Sequence, residues 1–317
     1  MKTSSDDGVR ACLDALGITF LERGWLSANN CVIQGHDGPA VVVDTGYGSH
    51  ADQTLALVRH ALGGRPLGRI VNTHLHSDHC GGNAILQAHY PGSITCIPPG
   101  QWEAVQRWDE VALSYAPTGQ ACPRFRADER LAPGRPCRLG DWDWDVHAAP
   151  GHDPHAVILF QPEHRVLISA DALWHNGFGV VFPELEGVDA FDEVGHTLDL
   201  IASLRPAVVL PGHGPIFTDV EAALARAHSR LAQFRRDPAR HRRHAAKVLL
   251  KYRLLEWGRI AIHELRVWVA ATPYLASQMA AAGAASDEAR RRWLDALLEE
   301  LAASGALVRE GDVVVDR

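Results

Sequence analysis

The chain has 317 residues, of which 46% are hydrophobic and 22% charged, with a formal net charge of −7. This composition excludes a disordered or fibrous polypeptide and allows one large or two ordinary domains with a substantial buried core. No apolar stretch approaches the length of a membrane span, and "MKTSSDDGVR" lacks the apolar segment of a secretion signal. The six cysteines, Cys12, Cys31, Cys80, Cys96, Cys122 and Cys137, form no CxxC pair and are expected to be reduced thiols of a cytoplasmic protein.

In chain order, "NNCVIQG" and "PAVVVDTG" are expected as paired strands, bounded by Gly, Asn and Pro. "SHADQTLALVRHAL" has helical apolar spacing, with Ser49 as expected N-cap and Gly63 as the stop. "GRIVNTHLH" is expected as a further strand with histidines at its end, "GGNAILQAHY" as a helix closed by Pro91, and "SITCIPP" as a strand. "DWDWDVH" alternates strictly, as a half-buried strand does, so Asp141, Asp143 and Asp145 are assigned to its solvated face. "HAVILFQPEHRVLISAD" reads as a hairpin, "DEVGHTLDLIASL" as a helix and "AVVLPGHG" as a last buried strand.

From Asp219 onward helical patterns dominate: "DVEAALARAHSRLAQFRR", "RHAAKVLLKYRLLEW", "AIHELRVWVAAT" and "SDEARRRWLDALLEELAASG", the last with Ser286 as N-cap. "ALVREGDVVVDR" closes the chain as a small hairpin, so this part is expected to be winged-helix-like. Charge changes at the same place, with 17 basic against 13 acidic residues after it and 14 against 25 before it. Domains of 1–218 and 219–317 are therefore expected.

"THLHSDHCGG" packs His74, His76, Asp78 and His79 into six positions. Alternation along a strand would aim His74 and His76 one way, and the turn after it would aim Asp78 and His79 at a neighbouring point. Four ligands are too many for one catalytic ion with an open position, which points to parts of two sites. Later apolar runs end in further ligand types: His152 in "AAPGHDPH", Asp171 in "LISADAL" and His213 in "VVLPGHGP". Gly151, Gly212 and Gly214 would let the backbone turn beside the metals.

The order HxHxDH, His after Pro-Gly, Asp, then Pro-Gly-His-Gly resembles the metallo-β-lactamase superfamily over roughly residues 29–215. The resemblance implies an α/β fold, a four-layer αββα sandwich followed here by the helical, winged-helix-like domain. It implies that His74, His76 and His152 hold one metal, that Asp78, His79 and His213 hold a second, and that Asp171 bridges both. Asp44, in "VVVDTG", would support the ligands from behind. Two divalent ions are implied, zinc first, with iron or manganese as alternatives. Asp78 and Asp171 are the expected catalytic residues, and Asp78 could shuttle a proton to the leaving group.

The implied reaction is hydrolysis of a small ester, thioester or lactone by metal-bound hydroxide. A second reading is a metal-dependent ribonuclease or phosphodiesterase, prompted by the basic residues Arg235, Arg236, Arg240, Arg242, Arg243, Lys247, Lys251 and Arg253. A solvated helix face is the simpler explanation of that run, because basic helices are common. A third reading is a non-catalytic DNA-binding regulator with a metal-containing sensor domain. The segments "QWEAVQRWDEVALSYAPTG" and "ALWHNGFGVVFPELEG" are expected to line the pocket. No membrane partner is expected, and dimerisation through the helical tail is left open.

Overall fold

The computed structural model describes residues 3–36 and 38–317, with only the backbone of residues 3–6. Two compact units emerge: one of residues up to Leu113 together with Ala121–Ala232, the other of Ser114–Gln120 and Gln233–Arg317. The composition break at Asp219 falls at the start of the helix Val220–Arg236, and the packing division falls inside that helix.

The first unit contains two sheets. Strands β1 (Ile18–Leu21), β2 (Asn30–Ile33), β3 (Ala40–Val43), β4 (Leu67–Val71), β5 (Ile94–Ile97) and β6 (Glu129–Arg130) lie side by side in that order. β1, β2 and β3 pair antiparallel, whereas β3 through β6 pair parallel. The second sheet runs β11-β10-β9-β8-β7, from β7 (Pro136–Leu139), β8 (Trp142–Ala148), β9 (Val157–Gln161), β10 (Val166–Ala170) and β11 (Val208–Pro211). Only β10 and β11 are parallel neighbours there.

Period-two patterning explains how the sheets pack. Val41, Val43, Val71 and Ile33 share one buried cluster with Trp144, Val146, Val157, Leu159, Ile168 and Leu210, so the two sheets face each other. The alternate residues Val32, Val42 and Ile70 pack on the other side, with Val58 and Leu62 of the helix Ala51–Leu62 and Leu86 of the helix Asn83–His89. Strands covered on both faces read as unbroken apolar runs, as "AVVV" does. In β8, Trp144 and Val146 are buried while Asp143 and Asp145 are exposed, as alternation requires. The helix Phe191–Leu204 buries Val194, Leu198 and Ile201, and Thr197 Oγ1 donates to the Pro150 carbonyl beyond β8.

Two expectations need correction. Ser49 is not the N-cap of the helix Ala51–Leu62: a 3₁₀ turn, Gly48–His50, leads into it, and His50 takes the cap position without a side-chain hydrogen bond. Gly63 does end that helix, at φ +58°. The strand β4 also stops at Val71, so His74 and His76 leave a turn and not a pleated edge.

The second unit carries the helices Pro238–Trp257, Ile262–Ala271, Pro273–Ala281 and Asp287–Ala303. It also has an antiparallel sheet of β12 (Arg259–Ala261), β14 (Val313–Asp316) and β13 (Leu307–Glu310), in that order. Ser286 caps the last helix by accepting from Ala289 N. Among the described residues, no helix is long and apolar enough to cross a membrane.

Candidate metal centre

Strand direction explains why distant ligand-type residues converge. β3 and β4 are parallel neighbours, so their C-terminal ends place Asp44 beside Thr73. β8, β10 and β11 also run the same way, and their C-terminal ends deliver residues 149–153, Asp171 and 212–213 to one rim. The loop before β2 joins the two sheets: Ala28 N donates to Asp78 O, Asn29 N to Gly212 O, and Asn29 Nδ2 to Pro211 O.

Three groups of ligand atoms result, each with every atom within 4.8 Å of the others: His74, His76 and His152; His74, His79 and Asp171; Asp78, His79 and His213. His76 Nδ1 lies 3.1 Å from His74 Nε2 and 2.8 Å from His152 Nε2. Asp171 faces both ends, with Oδ1 3.3 Å from His79 Nε2 and Oδ2 3.4 Å from His152 Nε2. Asp78 Oδ2 lies 3.0 Å from His213 Nε2 and 3.8 Å from His79 Nε2. All seven residues named from the sequence are buried here together.

The outer nitrogens fix which lone pairs point inward. His152 Nδ1 donates to Val180 O at 2.6 Å, leaving Nε2 as a bare acceptor toward the cluster. His79 Nδ1 donates to Asp44 Oδ2 at 2.8 Å. Asp44 also accepts from Thr73 N at 2.9 Å and Thr73 Oγ1 at 2.8 Å. Thr73 Oγ1, having spent its proton on Asp44, can accept from His74 Nδ1 at 3.2 Å. One carboxylate thereby orients His79 directly and His74 through a hydroxyl. Asp44 adopts φ +55°, a left-handed conformation that aspartate tolerates better than most residues.

Electrostatics set the protonation states. Burial, reinforced by His79, His76 and His152, holds His74 well below the ordinary imidazole range. Burial and the neighbouring His152 push His76 down to about 4, and burial lowers His152. For His79, burial pulls downward, but Asp171, Asp44 and Asp78 outweigh it and raise the group well above its usual value. Burial would raise Asp78, yet His79 and the hydrogen bond from His213 bring it to about 2. Asp171 is likewise held low by His79 and His213 against the effect of burial.

Does this donor set suit a metal? Bare imidazole nitrogens facing one another repel unless a cation lies between them. Zn–N bonds of ~2.0–2.1 Å in a tetrahedron separate neighbouring nitrogens by about 3.4 Å, close to the spacings here. His79 Nε2 is buried 3.3 Å from Asp171 Oδ1 and 3.8 Å from Asp78 Oδ2 without a well-directed hydrogen bond to either, an arrangement that suits a cation between them. The cluster therefore fits divalent metal ions.

Space around it depends on missing side chains. A Cβ on Gly212 would sit 2.2 Å from Asp171 Oδ1, and one on Gly179 would sit 2.4 Å from His152 Nδ1. Gly212 thus serves by leaving room, whereas Gly151 and Gly214 turn the chain with φ of +135° and +81°.

Several participants carry no motif. Trp25 stacks on His213 with ring centroids 5.3 Å apart and planes 7° apart. Trp174 approaches the same ring edge-on at 5.4 Å and donates from Nε1 to Asp171 Oδ1 at 3.1 Å. Phe182, in the expected pocket segment, lies 4.7 Å from His76 and 5.6 Å from His152. Asp153 Oδ2 lies 3.7 Å from the outer nitrogen of His76. Cys80 turns away from the cluster, its Sγ 3.3 Å from His76 O and 3.7 Å from Cys122 Sγ.

The profile of the metallo-beta-lactamase superfamily matches residues 23–213, a span holding all seven residues. The chain belongs to that superfamily. It is similar to the hydroxyacylglutathione hydrolase of Xanthomonas euvesicatoria pv. vesicatoria, 29% identical over 223 residues, covering 68% of this chain and 72% of the relative. In fold it is similar to a metallo-beta-lactamase family protein from Thermus thermophilus, with a TM-score of 0.57 and 20% identity, covering 95% of this chain and 99% of that one. It is also similar to TTHA1623, solved in a di-iron-bound form, at 26% identity and a TM-score of 0.50 over 66% of this chain and 98% of that one. The metallo-β-lactamase fold is thus present, and the chain is a metal-dependent hydrolase of the superfamily.

Proposed function

We propose that this metallo-β-lactamase superfamily member hydrolyses a small acyl substrate, a thioester first and an ester or lactone next, with two divalent ions. The observation that carries the reading is the Asp171 carboxylate, whose two oxygens face His79 and His152 at 3.3 and 3.4 Å. His74, His76 and His152 would hold one ion and Asp78, His79 and His213 the other, with Asp171 shared. Such a pair supplies Lewis acidity toward a carbonyl oxygen and a water that ionises near neutral pH.

The protein's own groups do the rest. Asp44 and Val180 O keep His79 and His152 in the tautomers that present Nε2 inward. To Asp78, whose carboxylate lies in the cluster beside His79 and His213, we assign the passage of a proton to a departing thiolate or alkoxide. Support for a thioester comes from the likeness to the hydroxyacylglutathione hydrolase, named for an acyl group on a thiol carrier. Zinc is our first choice of metal, and the di-iron form of TTHA1623 makes iron the first alternative.

The nucleic-acid reading loses support from the second unit. Arg243 and Lys247 pair with Glu300, Lys251 with Asp316, and Arg253 with Glu256 while lying over Trp257 and Trp268. Half of the basic run is thereby occupied inside the unit. We read this unit, with its helices and terminal hairpin, as winged-helix-like. The free thiols suit a cytoplasmic protein.

The test is a turnover panel of acyl thioesters, esters, lactones, β-lactams, phosphodiesters and single-stranded RNA after reconstitution with zinc, iron or manganese. Metal-dependent thioester cleavage that chelation removes is expected. RNA cleavage with inert acyl substrates would overturn the reading.

A further inference from the structure

Trp25 is a large apolar side chain left 53% exposed beside the buried metal cluster. Its position is defined from two sides. One ring face lies flat on His213, and Trp174 meets it edge-on with centroids 5.5 Å apart. Trp174 is itself tied to Asp171 through its indole N–H. The exposed part of Trp25 is therefore held on a firm base, and this pre-organises a platform whose ordering cost is already met in the free protein. On the other side of the cluster, Phe182 packs against His76 and His152 and is only partly buried. The segment leading into it is apolar, with Phe178, Val180 and Val181 all buried.

Resting on the hydrolase reading, we infer that Trp25 and Phe182 select the substrate, and that the acyl group they receive is uncharged and apolar, aliphatic or aryl. The indole of Trp25 offers a flat surface next to a ligand of the cluster, so an acyl chain or ring whose carbonyl is at the metals can lie across it. Aromatic surfaces of this size gain most from covering CH₂ groups or another ring and nothing from a carboxylate. Each methylene buried there is worth up to about a fourfold tightening of binding. Trp25 is thus a specificity-determining residue, and its support of His213 is a separate role.

Binding separates these roles without relying on turnover. The probes are non-cleavable thioethers carrying linear alkyl groups of increasing length on one small thiol, measured by isothermal titration calorimetry on the full metal-loaded chain. The wild type should tighten by about two- to fourfold per methylene up to a limiting length, and an ω-carboxyl on the alkyl group should cancel the gain. Trp25→Ala should flatten this dependence, and Trp25→Phe should keep most of it. Phe182→Ala should shorten the limiting length.

A wild-type affinity indifferent to alkyl length would overturn the inference. So would an equal slope in Trp25→Ala, even with uniformly weaker binding, because that pattern belongs to a support for His213 alone. If thioesters, esters and lactones are all inert in the turnover panel while the alkyl series still tightens, the hydrolytic assignment fails and the apolar subsite stands.

Discussion

The Asp44 carboxylate accepts a 2.8 Å hydrogen bond from Nδ1 of His79, a residue 35 positions further along the chain. It accepts two more from Thr73, so each of these three hydrogen bonds brings a donor to the carboxylate. Asp44→Asn would offer one acceptor and one donor, and the new amide N–H would face a donor. Metal affinity should fall by about 10- to 100-fold, as when other partners of ligating histidines are removed. Competition with a calibrated chelator measures it; an unchanged affinity would mean that His79 is held by other means.

Asp171 stands between the two ends of the cluster. Asp171→Ala should reduce bound metal below two ions per chain and lower kcat by ~10³-fold, since both positioning and charge stabilisation go with it. Elemental analysis and steady-state kinetics on the same preparation decide the matter. Full stoichiometry together with full turnover would refute the shared role.

Adding one methyl group should do comparable harm at Gly212. Its Cβ would come within 2.2 Å of Asp171 Oδ1 and 3.0 Å of His79 Cε1. Gly212→Ala is expected to shift that carboxylate and cost about 10²-fold in kcat/KM, the scale of a 1 Å misplacement. The thermal midpoint of the metal-free chain should change far less than activity does.

In the second unit, burial, assisted by His244 and Arg242, lowers His241 to about 3. The folded protein therefore carries this imidazole neutral where the unfolded chain, at its ordinary value near 6.5, takes up a proton. The unfolded state binds more protons between these values. The resulting stability is fully present above about pH 6.5 and is lost as pH falls toward 3. Denaturant titrations across that range should show a shallower pH dependence in His241→Gln than in the wild type, by a few kcal/mol at the acid end. Parallel curves would show that His241 does not contribute to acid lability.

Chelation and reloading form a fourth check on the cluster. Metal that binds only the folded chain should raise its unfolding midpoint in proportion to the logarithm of free metal concentration. Two resolved binding events are expected in calorimetry; a single event of one ion per chain would contradict the paired arrangement.

The seven ligand-type residues were legible because each stands where an apolar run gives way to Gly, Pro or a turn, and strand direction then gathers such ends. The route was less legible than the destination. His74 and His76 converge although β4 ends at Val71, so the pleat has no part in aiming them. Ser49 was a reasonable N-cap by residue type, but the preceding 3₁₀ turn moved the helix start past it. Trp25 was invisible in advance: "ERGWLSANN" has no periodicity, and its partner His213 comes from the last strand end of the other sheet. Thr73 lay inside the quoted motif, yet its relay from Asp44 to His74 depends on a neighbouring strand. Contacts of this kind are set by tertiary packing, which local pattern does not encode.

The segments that carry the ligand-type residues leave both sheets: His74, His76, Asp78 and His79 follow β4 in one, while His152, Asp171 and His213 follow β8, β10 and β11 in the other. All six cysteines are free thiols. Cations seated there would tie chain segments far apart in sequence, doing for this fold what a covalent staple does for a secreted one. Because that tie can be exchanged, withdrawing the ions should loosen the rim first and leave the paired sheets beneath it standing.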